Sequence, residues 1–379
     1  MGRGAGRTIA VLFLLGGLGL LLFVAGLQTG QRRAVAPEAQ TAVATVQPTT
    51  PAPATASSMA PTRALEGAGD LPLGYLDRFG VTGHVDDVEI AAAAGLPFGS
   101  YATWWLQAEP ARPQGAFFWQ MIRIREAGPV PAWADIDAAL AGAPGSVWLI
   151  GNEPDNIYQD NVRPERYAEI YHDLYAYIKE RDPAALVAIG GVSQPTPLRR
   201  AYLDIVLDSY QERYGAPMPV DVWNVHAFIL REERDSWGVD IPPGMDDTLA
   251  IPYEIEDHLD MGLFRQLLIE FRAWMAARGY GERPLLVSEY GFLMPYEYGF
   301  SEAEVAAFMA ASFDFFRTAR NETGFAADDN RLVQWWLWFI VGSAEDEEWR
   351  STFLLDYEQE RLTALGEAYA AYVRDHEPN

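Results

Sequence analysis

Residues 146–155 read S-V-W-L-I-G-N-E-P-D, and the chain that follows decides what they are. Val147, Trp148, Leu149 and Ile150 form an apolar run too short for a helix, with the composition of a strand buried on both faces. Farther on, R-P-E-R-Y-A-E-I-Y-H-D-L-Y-A-Y-I-K-E-R-D-P at residues 163–183 places Tyr167, Ile170, Tyr171, Leu174 and Ile178 on one face at helical spacing. Pro164 suits the first turn of that helix and Pro183 stops it. A second apolar run, L-V-A-I-G-G-V, comes at residues 186–192. Strand, amphipathic helix, strand is the repeating unit of a parallel sheet.

The same beat runs through the chain on both sides. Strands are expected at residues 78–84, 98–105, 117–124, 147–153, 186–192, 220–228, 284–290 and 332–340. Helical patterns cover 163–183, 198–214, 259–279, 302–319 and 361–374. Eight strands joined by crossovers predict an α/β fold, the (β/α)8 TIM barrel. One crossover breaks the rule. L-Q-A-E-P-A-R-P-Q-G-A, residues 106–116, holds two prolines and no helical face, so the helix ring is expected to be incomplete after strand two. A doubly wound open sheet is the alternative, and no Gly-rich phosphate turn supports it.

The composition of the 379 residues narrows the function. With 28 Lys+Arg against 53 Asp+Glu, the formal charge is -25, which repels phosphate backbones and argues against a nucleic-acid partner. Cysteine is absent, which excludes disulfides, a thiol nucleophile and thiolate metal sites. Arg3 and Arg7 precede an uncharged, largely apolar run at residues 9–27, which at about 1.5 Å per residue nearly spans a bilayer core. No A-x-A cleavage site follows convincingly. Residues 1–30 therefore read as a signal-anchor, with a cleaved signal peptide as the alternative. Arg32 and Arg33 reduce the charge asymmetry that would orient an anchor. Residues 31–69, rich in Ala, Thr and Pro, read as a disordered linker, and residues 70–379 as the barrel domain. The expected location is the cell membrane, single-pass with the barrel outside, or secreted if the segment is removed.

Glu153 closes the fourth expected strand, and Glu289, in P-L-L-V-S-E-Y-G-F, closes the seventh. In a parallel barrel those strands lie nearly opposite one another, and sites form where strands end. One strand-end carboxylate can simply cap a loop or pair with arginine. Two facing one gap are what glycoside hydrolysis requires: one protonates the departing oxygen, the other attacks carbon or activates water. Regular alternation would keep Asn152 and Glu153 on opposite faces, so the chain is expected to leave the strand at Gly151.

G-N-E-P after strand four, together with S-E-Y-G after strand seven, resembles clan A of the glycoside hydrolases, the cellulase-like retaining glycosidases. The resemblance spans roughly residues 75–375 and includes the closing L-T-A-L-G-E-A-Y-A-A-Y helix. It implies Glu153 as general acid/base, Glu289 as nucleophile and Asn152 as the holder of the sugar 2-hydroxyl. It also implies that His226, ending strand six in W-N-V-H-A-F, lies near the nucleophile. Phe228 stands where an H-x-Y pattern would supply a hydroxyl, which leaves the nucleophile's donor unassigned.

Pyranose rings stack on indoles, and the chain has 12 tryptophans. Trp104 after strand two and Trp338 in strand eight are the candidate platforms, with Tyr290 and His84 as further substrate-binding candidates. Alternation puts Trp336 and Trp338 on the face opposite Trp335. The long loop at residues 231–253 is expected to wall the cleft. These readings converge on retaining hydrolysis of a neutral β-linked glycan without metal or other cofactor. The alternatives are a non-catalytic surface-tethered glycan-binding barrel, or an inverting hydrolase with carboxyls roughly 6.5–9.5 Å apart instead of about 5–5.5 Å.

Overall fold

The computed structural model describes residues 71–343 and 347–378. Its main sheet holds β1 (Phe79–Thr82), β2 (Ser100–Ala102), β3 (Phe117–Ile122), β4 (Val147–Asn152), β5 (Leu186–Gly191), β6 (Trp223–His226), β7 (Leu285–Gly291) and β8 (Trp335–Phe339). The order is β5-β4-β3-β2-β1-β8-β7-β6, parallel throughout. First and last strands are neighbours, with Phe79 opposite Trp336 and Val81 opposite Trp338. The remaining gap is bridged by parallel pairs Ala188–Val222 and Val192–Val225 between the ends of β5 and β6. That cyclic order is a nearly closed (β/α)8 barrel and excludes the doubly wound sheet.

Among the described residues seven α-helices follow these strands: α1 (Val85–Ala93), α2 (Trp133–Gly142), α3 (Pro164–Arg181), α4 (Pro197–Tyr214), α5 (Met261–Ala277), α6 (Glu302–Thr318) and α7 (Ala364–Asp375). Proline opens α3 and α4, and side chains of Thr196, Asp260, Ser301 and Thr363 cap α4, α5, α6 and α7. The buried face of α3 contains all five residues read from its periodicity. Between β2 and β3 there is only the short 3-10 turn Pro113–Gly115. The rest of that crossover is an irregular strap, in the place where the prolines foretold a gap.

Strand alternation sorts the core into two layers. Ala102, Trp119, Met121, Val147, Leu149, Ala188, Val222, Leu286, Trp335 and Leu337 fill the barrel interior, where Trp119 and Trp335 meet edge to face at 5.2 Å. Leu71 joins this layer, and the Pro72 carbonyl accepts the Trp335 indole N–H at 2.7 Å, at the end of the barrel where the strands begin. The neighbouring strand residues, among them Phe79, Trp148, Trp223, Trp336 and Trp338, pack outward against the helices. Among the described residues no helix is long and apolar enough to cross a membrane. The anchor at residues 1–30 and the linker at 31–69 lie outside those described.

Candidate active site

Two local irregularities aim the carboxylates. The first is the tip of β4. Gly151 has φ +94°, and a Cβ there would stand 3.1 Å from Ile124 Cδ1 and 3.2 Å from Asp160 Oδ2. Asn152 still pairs with Gly191, but Glu153 takes φ +45°, a left-handed conformation costing about 1–2 kcal/mol outside glycine. The expected departure thus begins at Gly151 and is completed at Glu153. Buried Asp160 holds the tip in place, accepting from Asn152 N at 2.7 Å, Ile124 N at 3.2 Å, Arg123 Nε at 2.5 Å and Arg125 Nη1 at 2.7 Å. The Glu153 N–H donates to Gly191 O at 3.0 Å.

The second irregularity is a bulge in β7. Val225 and His226 of β6 face Val287 and Glu289, so one step on β6 matches two on β7. On the other side, Trp336 and Trp338 of β8 face Val287 and Tyr290, so two steps match three. One extra residue lets Glu289 turn toward the mouth while Tyr290 stays in the outer layer.

His226 joins the two acids. Its Nδ1 lies 2.9 Å from Glu153 Oε1 and 3.7 Å from Glu289 Oε2, so these two oxygens are no farther apart than both distances laid end to end, about 6.6 Å. A carboxylate only accepts, so Nδ1 carries the proton of the shorter contact. Asn156 Nδ2 donates to Glu153 Oε2 at 2.7 Å, and Trp104 Nε1 to Glu289 Oε1 at 3.0 Å. The indole is therefore the donor that Phe228 cannot be.

The three groups divide charge unequally. Burial would raise the proton affinity of Glu153, but hydrogen bonds from His226 and Asn156, with the charges of His226 and Arg199, hold its carboxyl below the usual range. Burial raises Glu289; the His226 charge and the Trp104 bond oppose this, the Glu153 charge adds to it, and the net direction is upward. Burial lowers His226, yet both carboxylates outweigh it, so the imidazole holds its proton above its ordinary value. His226 thus holds a proton more readily than a free imidazole, and Glu153 gives one up more readily than Glu289.

The other sequence-predicted residues divide. Asn152 Nδ2 reaches Gln159 Oε1 at 3.4 Å, and Gln159 in turn accepts from Arg123 Nη2 at 3.2 Å, so the amide belongs to the clamp beside Glu153. His84 is exposed and lies edge-on to the Trp104 ring at 5.5 Å, placing it at the rim. Trp338 and Tyr290 are corrections. Both are fully buried in the outer layer; Trp338 gives its N–H to Thr352 O at 2.9 Å, and Tyr290 packs between Phe316 and Trp338. Neither can stack on a sugar, because their strand positions face the helices. Phe339, one residue beyond Trp338, instead contacts both Trp104 and Phe228.

Sequence reasoning missed Asn156, three residues past Glu153, and a buried ionic group behind it. Arg199 Nε lies 3.0 Å from Asp155 Oδ2 and 3.6 Å from Glu232 Oε1, all three side chains having no exposed surface. Burial pushes the Asp155 carboxyl up to about 6 against the opposing Arg199 charge. Arg199 Nη2 also donates to the carbonyls of Val239 and Asp240, at 3.0 and 2.9 Å, while Glu232 Oε2 accepts from Ile251 N at 2.9 Å. These contacts pin the loop at residues 231–253. The signal was D-N after N-E-P, polar residues where a loop needs none.

No family model matches the chain, and no curated protein matches it. Among solved structures it is similar to a GH128 (subgroup III) curdlan-specific exo-β-1,3-glucanase from Blastomyces gilchristii, at 19% identity and TM-score 0.52, over 79% of this chain and 99% of that one. It is similar to a GH128 (subgroup I) endo-β-1,3-glucanase from Amycolatopsis mediterranei at 20% identity and TM-score 0.52, over 78% and 99% of the two chains. A GH128 (subgroup II) endo-β-1,3-glucanase from Sorangium cellulosum matches at 17% identity and TM-score 0.50, over 78% and 98%. At such identities the likeness establishes the barrel fold.

Proposed function

We propose that the chain is a retaining glycoside hydrolase of β-linked glucans, with Glu289 as nucleophile and Glu153 as general acid/base. The observation that carries this reading is the single nitrogen, His226 Nδ1, in contact with both carboxylates at 2.9 and 3.7 Å. The bound of about 6.6 Å on that oxygen pair admits the roughly 5–5.5 Å of direct attack and reaches only the foot of the inverting range, roughly 6.5–9.5 Å.

Because its surroundings favour the ionised form, Glu153 must take its proton from a neighbour, and His226 Nδ1 at 2.9 Å is placed to give it. Moving the Nδ1 proton of the imidazolium onto Glu153 Oε1 leaves neutral His226, protonated Glu153 and ionised Glu289, the state that double displacement requires. Glu289 then attacks the anomeric carbon while Glu153 gives its proton to the leaving oxygen, forming a glycosyl ester. Ionised Glu153 next takes a proton from water; the hydroxide displaces Glu289 as carboxylate, and the sugar leaves with its configuration retained.

The activities named for the similar structures make β-1,3-glucan the first substrate to test. A formal charge of -25 suits a neutral polysaccharide better than a polyuronate. The apolar segment at residues 9–27 supports a surface-anchored or secreted enzyme that meets such chains outside the cell. The test is release of reducing ends from soluble β-1,3-glucan, with the configuration of the first product followed by NMR. The wild type is expected to give β product, Glu153→Ala to lose about 10²–10⁴-fold in kcat, and Glu289→Ala to lose turnover entirely. Undiminished activity in Glu289→Ala would overturn the assignment. Binding without release of reducing ends would make the chain a surface-tethered glycan-binding barrel.

A further inference from the structure

We infer that Gln120 is a positioning residue for the Glu289 carboxylate, acting through the strap that replaces the helix between β2 and β3. The inference rests on the reading of Glu289 as nucleophile. Gln120 has no exposed surface, and on β3 it shares a face with Phe118 and Ile122, which belong to the layer between strands and helices. Elsewhere that layer is filled by apolar helix faces. Between β2 and β3 no helix arrives, and a primary amide stands there instead.

The amide closes a reciprocal pair with the strap. Gln120 Nε2 donates to Gln107 O at 2.7 Å, and Gln120 Oε1 accepts from Gln107 N at 2.8 Å. Both backbone groups of Gln107 depend on this one side chain, and an apolar substitute would satisfy neither. Three residues earlier on the strap, Trp104 gives its indole N–H to Glu289. The intervening chain has little freedom: Thr103 Oγ1 donates to Trp105 O at 3.0 Å and accepts from Trp105 N at 3.3 Å, closing a turn around Trp104. At the far end the Tyr101 hydroxyl donates to Ala111 O at 2.6 Å. The indole is therefore held by a turn on one side and by the Gln120 clip on the other. Without the clip the N–H loses its aim while the ring keeps its contacts with His84 and Phe339.

The acidic limb of the pH profile of kcat/KM reports protonation of Glu289, and loss of a donor to a carboxylate moves that limb to higher pH. Trp104→Phe, which keeps a ring and removes the N–H, is expected to raise the limb by about one unit, a tenfold loss of activity below it. Gln120→Leu is expected to move the same limb in the same direction, with kcat falling about three- to tenfold and KM changing less than twofold. The decisive variant combines both substitutions: its limb should lie no higher than that of Trp104→Phe alone, because the clip acts through the indole. If Gln120→Leu fails to fold, Gln120→Glu keeps the acceptor for Gln107 N and loses the donor, and is expected to give a smaller shift. An unmoved limb in the folded Gln120 variant, or shifts that add in the double variant, overturns the inference. Wild-type hydrolysis by Glu289→Ala would instead sink the catalytic reading itself.

Discussion

Removing the Asp160 carboxylate should unsettle the fold far more than removing any surface acid. Asp160 has no exposed surface and meets Arg123 Nε at 2.5 Å, with the Arg123 side chain only 3% exposed. Asp160→Ala strands that guanidinium away from water and orphans the N–H groups of Ile124 and Asn152. Breaking one side of such a buried pair costs about 3–5 kcal/mol. The further contact to Arg125 adds little, since that side chain is 47% exposed and screened by solvent. At about 2 °C per kcal/mol for a domain of this size, the expected fall in Tm is about 6–10 °C by differential scanning calorimetry. Asp137→Ala is the control: Asp137 is 51% exposed and pairs with Arg181 at 3.1 Å, a contact worth under about 1 kcal/mol. Adding Arg123→Met to Asp160→Ala should recover part of the loss, because the stranded charge goes with it. Equal Tm shifts in the two alanine variants, or a double variant less stable than Asp160→Ala, would refute the reasoning.

Three further outcomes can be checked. His258 is buried with Nδ1 donating to Ile229 O and Nε2 accepting from Leu293 N, and burial lowers its pKa to about 4. The folded state therefore binds less proton than the unfolded one between pH 6.5 and 4, and stability should fall by about 1.4 kcal/mol per unit across that window. Urea unfolding of His258→Gln at several pH values should show a shallower slope; an unchanged slope counts against the assignment. His226 is shifted the other way, so its contribution is complete below about pH 6.5 and disappears as pH rises through its elevated folded pKa. His226→Gln should accordingly be more damaging at pH 6 than at pH 9, and equal damage would contradict this. Gly151→Ala should cost about 1–2 kcal/mol for the left-handed backbone, and more for crowding against Ile124 and Asp160, with activity falling alongside as Glu153 is displaced. A neutral effect on both Tm and turnover would show that the β4 tip tolerates another path.

The barrel was legible because its signals are local and periodic. Apolar strand runs, helices bounded by Pro164 and Pro183, and the proline-rich crossover each name their own conformation, and all three appear as expected. The two glutamates were legible as a pair because strand ends converge in any such barrel. Tyr290 and Trp338 were misassigned for one reason: a sugar site was sought in aromatic composition, whereas strand parity decides which aromatics reach the mouth. Parity itself fails at Glu289, since the bulge is set by pairing with β6 and β8, which lie far away in sequence. The Trp104–Glu289 bond spans 185 positions and the Asp155–Arg199–Glu232 group joins two loops to the first turn of α4, so no spacing rule could announce either.

The extra residue in β7 matters for aim and not for cohesion. Because Val287 and Tyr290 both keep to the outer layer and His226 faces Glu289, removing Ser288 would leave the hydrophobic seam continuous, both registers regular and the glutamate on the inward position between them. The scaffold therefore does not need the extra residue, and what the bulge contributes is the exact direction in which the carboxylate leaves the strand.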